Sequence, residues 1–210
     1  MPISHEYQCI FVHIPRTGGS SIEDALALTN PGNKEDLATL SGWIDSAELR
    51  AQQFVSPVLQ HLAFREIQRL VPEETVSSYF AFAMVRNPWD RLLSNYLFER
   101  NHFFHFNPDA QSYMALTDYI DQLNPFLRQS QSDFVEDQHG CLDFVGRFEN
   151  LTEDFSRVAA RLHRRPPPLA HLNRTRHDHY SRYYCDESRE KVATLYGRDI
   201  ETFGYRFEQV

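Results

Sequence analysis

Lysine is nearly absent from this 210-residue chain, with only Lys34 and Lys191 against nineteen arginines. Cysteine is scarce too. Cys9, Cys141 and Cys185 are odd in number and form no CxxC pair, which argues against a disulfide framework. No apolar run approaches the roughly 18 residues of a membrane-spanning helix, and the opening MPISHEYQ lacks the layout of a signal peptide. The chain therefore reads as cytoplasmic with no membrane span. Basic charge is in deficit, 21 residues against 29 acidic ones, whereas a nonspecific nucleic-acid binder carries the opposite balance. The broad apolar share of 41% and charged share of 24% exclude a disordered or collagenous chain and suit one globular domain over 1–210.

The basic charge that is present is unusual in kind and placement. Arginine offers a planar fork that grips phosphate or carboxylate with two hydrogen bonds, although codon bias alone also produces such an excess. Residues 157–182 hold seven arginines and a single acid, Asp178. An acidic body with one basic segment points to an anionic ligand for that segment.

Along the chain, buried strands alternate with amphipathic helices. Cys9–Ile14 is a short run of β-formers, followed by a glycine-containing break and by Ser20-Ser21-Ile22-Glu23, which matches a capping box with Ser20 at N-cap and Glu23 at N3. A polar loop follows from 30 to about 51, then a second short strand within 53–61 and a helix over 63–71. Tyr79–Val85 reads as a central strand. Asn87 caps the next helix with Pro88 at its first position, and Trp89, Leu92, Leu93, Tyr96, Leu97 and Arg100 mark one face. The aromatic stretch 102–113 reads as a loop, 116–123 as a helix and 142–148 as a third strand. Asn150-Leu151-Thr152-Glu153 is a second capping box, opening a helix to about His163. A final helix covers 186–196. The pattern predicts an α/β domain with a central, mainly parallel sheet flanked by helices. Ligands of such sheets bind beyond the carboxyl ends of the strands, here 15–21 and 86–94.

The first of these segments has the makings of a phosphate cradle. Gly18 and Gly19 let backbone amides converge on an anion at a helix start. Thr17, Ser20 and Ser21 add hydroxyls, and Arg16 adds fixed charge. Walker A spacing is absent, and an ordinary strand-to-helix turn has the same glycines. In the second segment, Arg86 ends a strand and Ser94 lies two turns into the following helix, beside its apolar stripe. Together they suit a second phosphate. Alternatively Arg86 pairs with Asp90, and Ser94 lies on the helix surface.

Phe11 to Ile22 resembles the 5′-phosphosulfate loop of sulfotransferases, and Ala83 to Tyr96 resembles their 3′-phosphate motif. Gly146-Arg147-Phe148-Glu149-Asn150-Leu151 resembles a further recurrent segment of that family. The nearest likeness is to bacterial enzymes akin to the Golgi heparan sulfate O-sulfotransferases. The resemblance implies a P-loop-NTPase-like three-layer fold. It also implies in-line transfer of a sulfuryl group from 3′-phosphoadenosine 5′-phosphosulfate (PAPS) to an acceptor hydroxyl, of carbohydrate type, leaving adenosine 3′,5′-bisphosphate (PAP). By position, Arg16, Thr17, Gly18, Gly19, Ser20 and Ser21 would hold the phosphosulfate, and Arg86 with Ser94 the 3′-phosphate. Arg16 stands where the family commonly has Lys. A late loop covers the nucleotide in relatives, which places Arg174 and Thr175 near the 3′-phosphate or adenine.

A general base is also required. His61 follows a candidate strand, precedes a helix and resembles the base of the heparan sulfate 2-O-sulfotransferases. His13, inside an apolar strand, reads as a hydrogen-bonded core residue, and Glu23 as a cap or surface group. His171, His177, His179 and Asp178 have the chemistry of zinc ligands, but neither Cys nor HExxH spacing supports a metal, and none is expected. Two other classes stay open on sequence alone: a P-loop nucleotide kinase or NTPase, and a PAPS-binding protein without activity.

Overall fold

A computed structural model describes residues 2–28, 34–137, 140–170 and 177–210. In chain order the main elements are β1 (Ile3–Ser4), β2 (Cys9–Val12), α1 (Gly19–Ala25), α2 (Phe64–Leu70), α3 (Glu73–Ser78) and β3 (Phe80–Val85). Then come α4 (Pro88–Phe106), α5 (Leu116–Asp121), β4 (Phe144–Arg147), α6 (Leu151–Ala159), α7 (Asp186–Leu195) and α8 (Gly197–Phe203). Shorter helical turns lie between them. Among the described residues no helix is long and apolar enough to cross a membrane.

The chain divides into two compact units, Met1–Val85 with Gln131–Leu172 and Arg86–Ser130 with Asn173–Val210. The first holds a four-stranded sheet in the order β1-β2-β3-β4. β2 and β3 pair in parallel with Phe11 opposite Phe82, and β3 and β4 pair in parallel with Met84 opposite Gly146. Only β1 runs antiparallel, on the edge. The fold is therefore mixed α/β with a mostly parallel sheet flanked by helices, as the sequence pattern predicts.

Side chains alternate across a strand. Cys9, Phe11, Phe82 and Met84 meet Ile22 and Ala25 of α1, Leu26 at its C-cap, and Phe155 and Val158 of α6 on one face. Ile10, Val12, Ala83 and Val85 point the other way and are also buried. Burial on both faces is why these strands read as unbroken apolar runs. Each large side chain so enclosed contributes about 2 kcal/mol of transfer free energy. Burial also pushes the Cys9 thiol up to about 12, so this cysteine is a small hydrophobe in the core.

The second unit is helical. The predicted stripe of α4, Trp89, Leu92, Leu93, Tyr96 and Leu97, packs with Leu116, Tyr119 and Ile120 of α5 and Val192 of α7. Asn87 caps α4 as expected, its side chain accepting from the Trp89 amide at 3.1 Å, a contact worth about 1 kcal/mol.

Several local expectations change. Residues 53–61 form no strand. Ser56 Oγ accepts from the Val58 amide and donates to its carbonyl, Pro57 has no amide to give, and Leu59–His61 closes as a 3₁₀ turn. Only an isolated bridge pairs Trp43 with Val58. The Ser20 capping box is not formed. Gly18 takes the N-cap position with φ +88°, and the helix starts earlier. Asn150 caps α6 without a side-chain bond, and α6 ends at Ala159, short of His163. α4 continues through the aromatic residues to Phe106, and α8 follows the expected last helix.

Candidate functional site

In the first unit, the turn between β2 and α1 is pinned from inside. Thr17 is fully buried, and its hydroxyl donates to the Ile14 carbonyl at 2.8 Å. Arg16 sits in the left-handed region with φ +69°, and Gly18 follows at +88°. A Cβ on Gly18 would lie 2.7 Å from Leu151 Cδ2, so strain and space both demand glycine there. Gly19 is a matter of space alone, because a Cβ would land on the His13 ring. The first turn of α1 thus opens at a tight glycine pair, with Ser21 buried and Ser20 exposed. Amides in a first turn lack partners four residues back.

His13 leaves the end of β2 and turns its ring toward this helix start. Its Nδ1 donates to Glu23 Oε1 at 2.9 Å. The ring stacks on Phe11, with centroids 5.5 Å apart, and meets the edge of His61 at 4.4 Å. The His13 carbonyl accepts a hydrogen bond from His61 Nδ1, also at 2.9 Å. A carbonyl only accepts, so Nδ1 of His61 carries the hydrogen, and in the neutral ring Nε2 carries the lone pair.

Electrostatics follow from this packing. Burial of the His61 ring, though part of the residue still meets solvent, lowers its pKa to about 3, and the neighbouring His13 adds to the effect. Burial alone would raise the Glu23 carboxyl, but the hydrogen bond from His13 and its charge outweigh that and hold it at about 2. His61 is thus neutral and Glu23 ionised throughout the working range.

An acid-stability consequence follows. Below about pH 6.5 the unfolded chain protonates His61, and the folded chain refuses that proton until about pH 3. The contribution is therefore complete above about 6.5 and drains as pH falls, on the order of 1 kcal/mol per unit. Glu23 acts in the same sense between about 4.5 and 2. Urea midpoints are expected to drop from pH 7 to 5, and less steeply in His61→Gln. Equal slopes for the two proteins would contradict the assignment.

In the second unit, Arg86 precedes α4 and is buried. Its Nε donates to Asp90 Oδ2 at 2.8 Å. Ser94, one helical turn beyond Asp90, is only 4% exposed, so it does not lie on the helix surface. Asn87, besides capping, donates to the Arg206 carbonyl at 3.0 Å, which ties the helix start to the C-terminal segment.

The sequence profile of the Sulfotransferase family matches residues 1–206. The chain belongs to the sulfotransferase family. An uncharacterised protein of Archaeoglobus fulgidus is similar to it, 27% identical over 96 residues that make up 46% of this chain and 78% of that protein. No solved structure matches the chain.

In this sulfotransferase, the first unit gathers Arg16–Ser21, His13, Glu23 and His61, and the second sets Arg86 against Asp90 with Ser94 a turn away. Arg174 and Thr175 lie outside the described residues. Of the basic loop's histidines, His177 Nδ1 donates to the Asp178 carbonyl, and His179 accepts from the Ser181 amide. Among the described residues no group of three or more His, Cys, Asp or Glu is placed to hold a metal. Sequence reasoning missed the His13–Glu23 pair. It took Glu23 for a capping partner of Ser20, because the two stand three apart before an apolar stripe.

Proposed function

We propose that this sulfotransferase takes its sulfuryl group from PAPS and delivers it to an acceptor hydroxyl of carbohydrate type, on a P-loop-like unit with His61 as general base. The observation that carries this reading is the neutral, Nδ1-protonated His61 in the same unit as the tight glycine loop. A ring held in that tautomer keeps Nε2 ready for a proton. PAPS, when bound, supplies a sulfuryl group already activated by its bond to phosphate.

The loop residues fit such an anion. Gly18 and Gly19 let the chain pass close to it, the amides of the first turn of α1 and the Ser20 hydroxyl are donors, and Arg16 brings positive charge. Thr17 acts from below by fixing the loop on Ile14. Arg86 and Ser94 are assigned to the 3′-phosphate, and Arg174 and Thr175 to the nucleotide as well. In the transfer, the acceptor oxygen gives its proton to His61 Nε2 as it bonds to sulfur. The bond from sulfur to the phosphate oxygen breaks, and its electron pair stays on that oxygen. Arg16 steadies the negative charge gained there.

Two measurements test the proposal. Calorimetry should show binding of PAP in preference to ATP, and a panel of saccharides incubated with PAPS should yield a product heavier by one sulfate in mass spectrometry. ATP preference would favour a nucleotide kinase, and PAP binding without transfer to any acceptor a protein that only binds the nucleotide. Arg16→Ala is expected to reduce transfer about 100-fold, the scale of losing one fixed charge at a developing oxyanion. Full activity in that variant would remove Arg16 from the chemistry.

A further inference from the structure

Glu23 raises a question that the loop itself does not answer. A carboxylate in the first turns of a helix favours the helix dipole and stays hydrated. Here it turns inward, its side chain 16% exposed, onto a His13 side chain that is 9% exposed. Withdrawing such a pair from water is costly, and an apolar pair of the same volume would serve stability as well or better. The pair is not isolated, however. Glu23 holds His13 by its ring, and His13 holds His61 by both ring and carbonyl. Three groups, ten and forty-eight residues apart in sequence, form one part-buried line.

We propose that Glu23 is a positioning residue for His61, acting through His13. Its carboxylate fixes the His13 ring, His13 holds His61 as the Nδ1–H tautomer, and the fixed negative charge of Glu23 steadies the positive charge that His61 gains when Nε2 takes a proton. Among the described residues, the titratable groups that act on His61 are His13, from the chain after β2, and Glu23, from α1. The charge of His13 opposes a charge on His61, whereas the His13 carbonyl and Glu23 favour it, so the hydrogen bond from His13 to Glu23 moderates the first while keeping the second close. Because the line is largely out of water, the charge of Glu23 is weakly screened along it. The inference rests on His61 as the base.

Glu23→Gln is the decisive substitution. The amide oxygen can still accept from His13 Nδ1, so the packing is kept and the charge is lost. It is expected to lower kcat about ten- to hundredfold while the KM for PAPS stays within about twofold. Loss of the carboxylate charge also lowers stability, so kcat is read on protein shown to be folded at the assay temperature. An unchanged kcat overturns the proposal, and so does a fall in kcat matched by an equal loss of PAPS affinity, which is what a purely structural carboxylate would give.

A second readout needs no turnover. Ring-nitrogen NMR of the protein should show His61 with a protonated Nδ1 and an unprotonated Nε2, and Glu23→Ala should keep that tautomer, which the His13 carbonyl sets, while adding a second set of His61 ring signals as the His13 ring beside it loses its anchor. A wild-type ring protonated at Nε2, or a single set of His61 ring signals untouched by the substitution, overturns the inference. If His61→Ala keeps transferring sulfate, the base assignment itself has failed, and the NMR result still decides whether Glu23 positions the ring.

Discussion

His61→Ala is expected to lose about two to four orders of magnitude in sulfuryl transfer, the usual contribution of a positioned general base. The nucleotide should not notice. Affinity for PAP by calorimetry is expected to stay within about twofold, because the Nδ1 hydrogen bond and a ring contact of His61 run to His13, and the phosphosulfate is assigned to residues 16–21. The substitution leaves the His13 carbonyl without that donor and opens a small void beside its ring, so a modest loss of stability is expected as well. Rate and affinity must therefore be read on protein shown to be folded at the assay temperature. Transfer at the wild-type rate would remove His61 from the reaction. Joint loss of PAP binding and transfer would place its role in the fold.

Gly19→Ala should fail differently. The new Cβ would fall on Nε2, Cδ2 and Cε1 of His13. That ring cannot simply swing aside, since Glu23 holds its Nδ1, Phe11 stacks on it and His61 lies edge-on to it. Either the His13 line breaks or the start of α1 is displaced, and overpacking of this kind costs about 1–3 kcal/mol. A melting temperature lower by roughly 5 °C is expected for a chain of this size. Transfer and PAP affinity should fall together, each by about tenfold or more, since the loop and the histidines are disturbed at once. Gly197→Ala is the matching control, because a Cβ there meets nothing within 4 Å. Normal PAP binding by Gly19→Ala would show that the loop tolerates a side chain where the structure leaves no room.

The parts of the fold legible in sequence are those governed by neighbours in the chain. Phe80–Val85 announces itself as a run of buried β-formers, and α4 by Asn87, Pro88 and a stripe at helical spacing. Where a contact from elsewhere decides, the reading slips. The Ser20–Glu23 capping box is a sound local pattern, but Gly18 can take a left-handed cap that Ser20 cannot match, and Glu23 has a buried histidine to satisfy. The supposed strand at 53–61 has suitable residues and lacks a neighbour to pair with beyond Trp43 opposite Val58. Arg86 shows both sides of the problem. Its place at the end of β3 follows from sequence, whereas the Asp90 pairing was one of two local options, and the burial of Ser94 required the packed unit. His61 was found by resemblance and position in the chain. Its tautomer depends on a carbonyl forty-eight residues away, which no local pattern encodes.

His13 faces two ways, giving Glu23 its side chain and His61 its backbone. A main-chain carbonyl is present whatever residue occupies the position, so mutation at 13 can strip away the link to Glu23 without deleting the acceptor for His61. Over evolutionary time the two couplings are therefore separable. The hydrogen bond on His61 is inherited with the path of the chain, while the charge behind it is open to drift, loss or reinvention by a single codon.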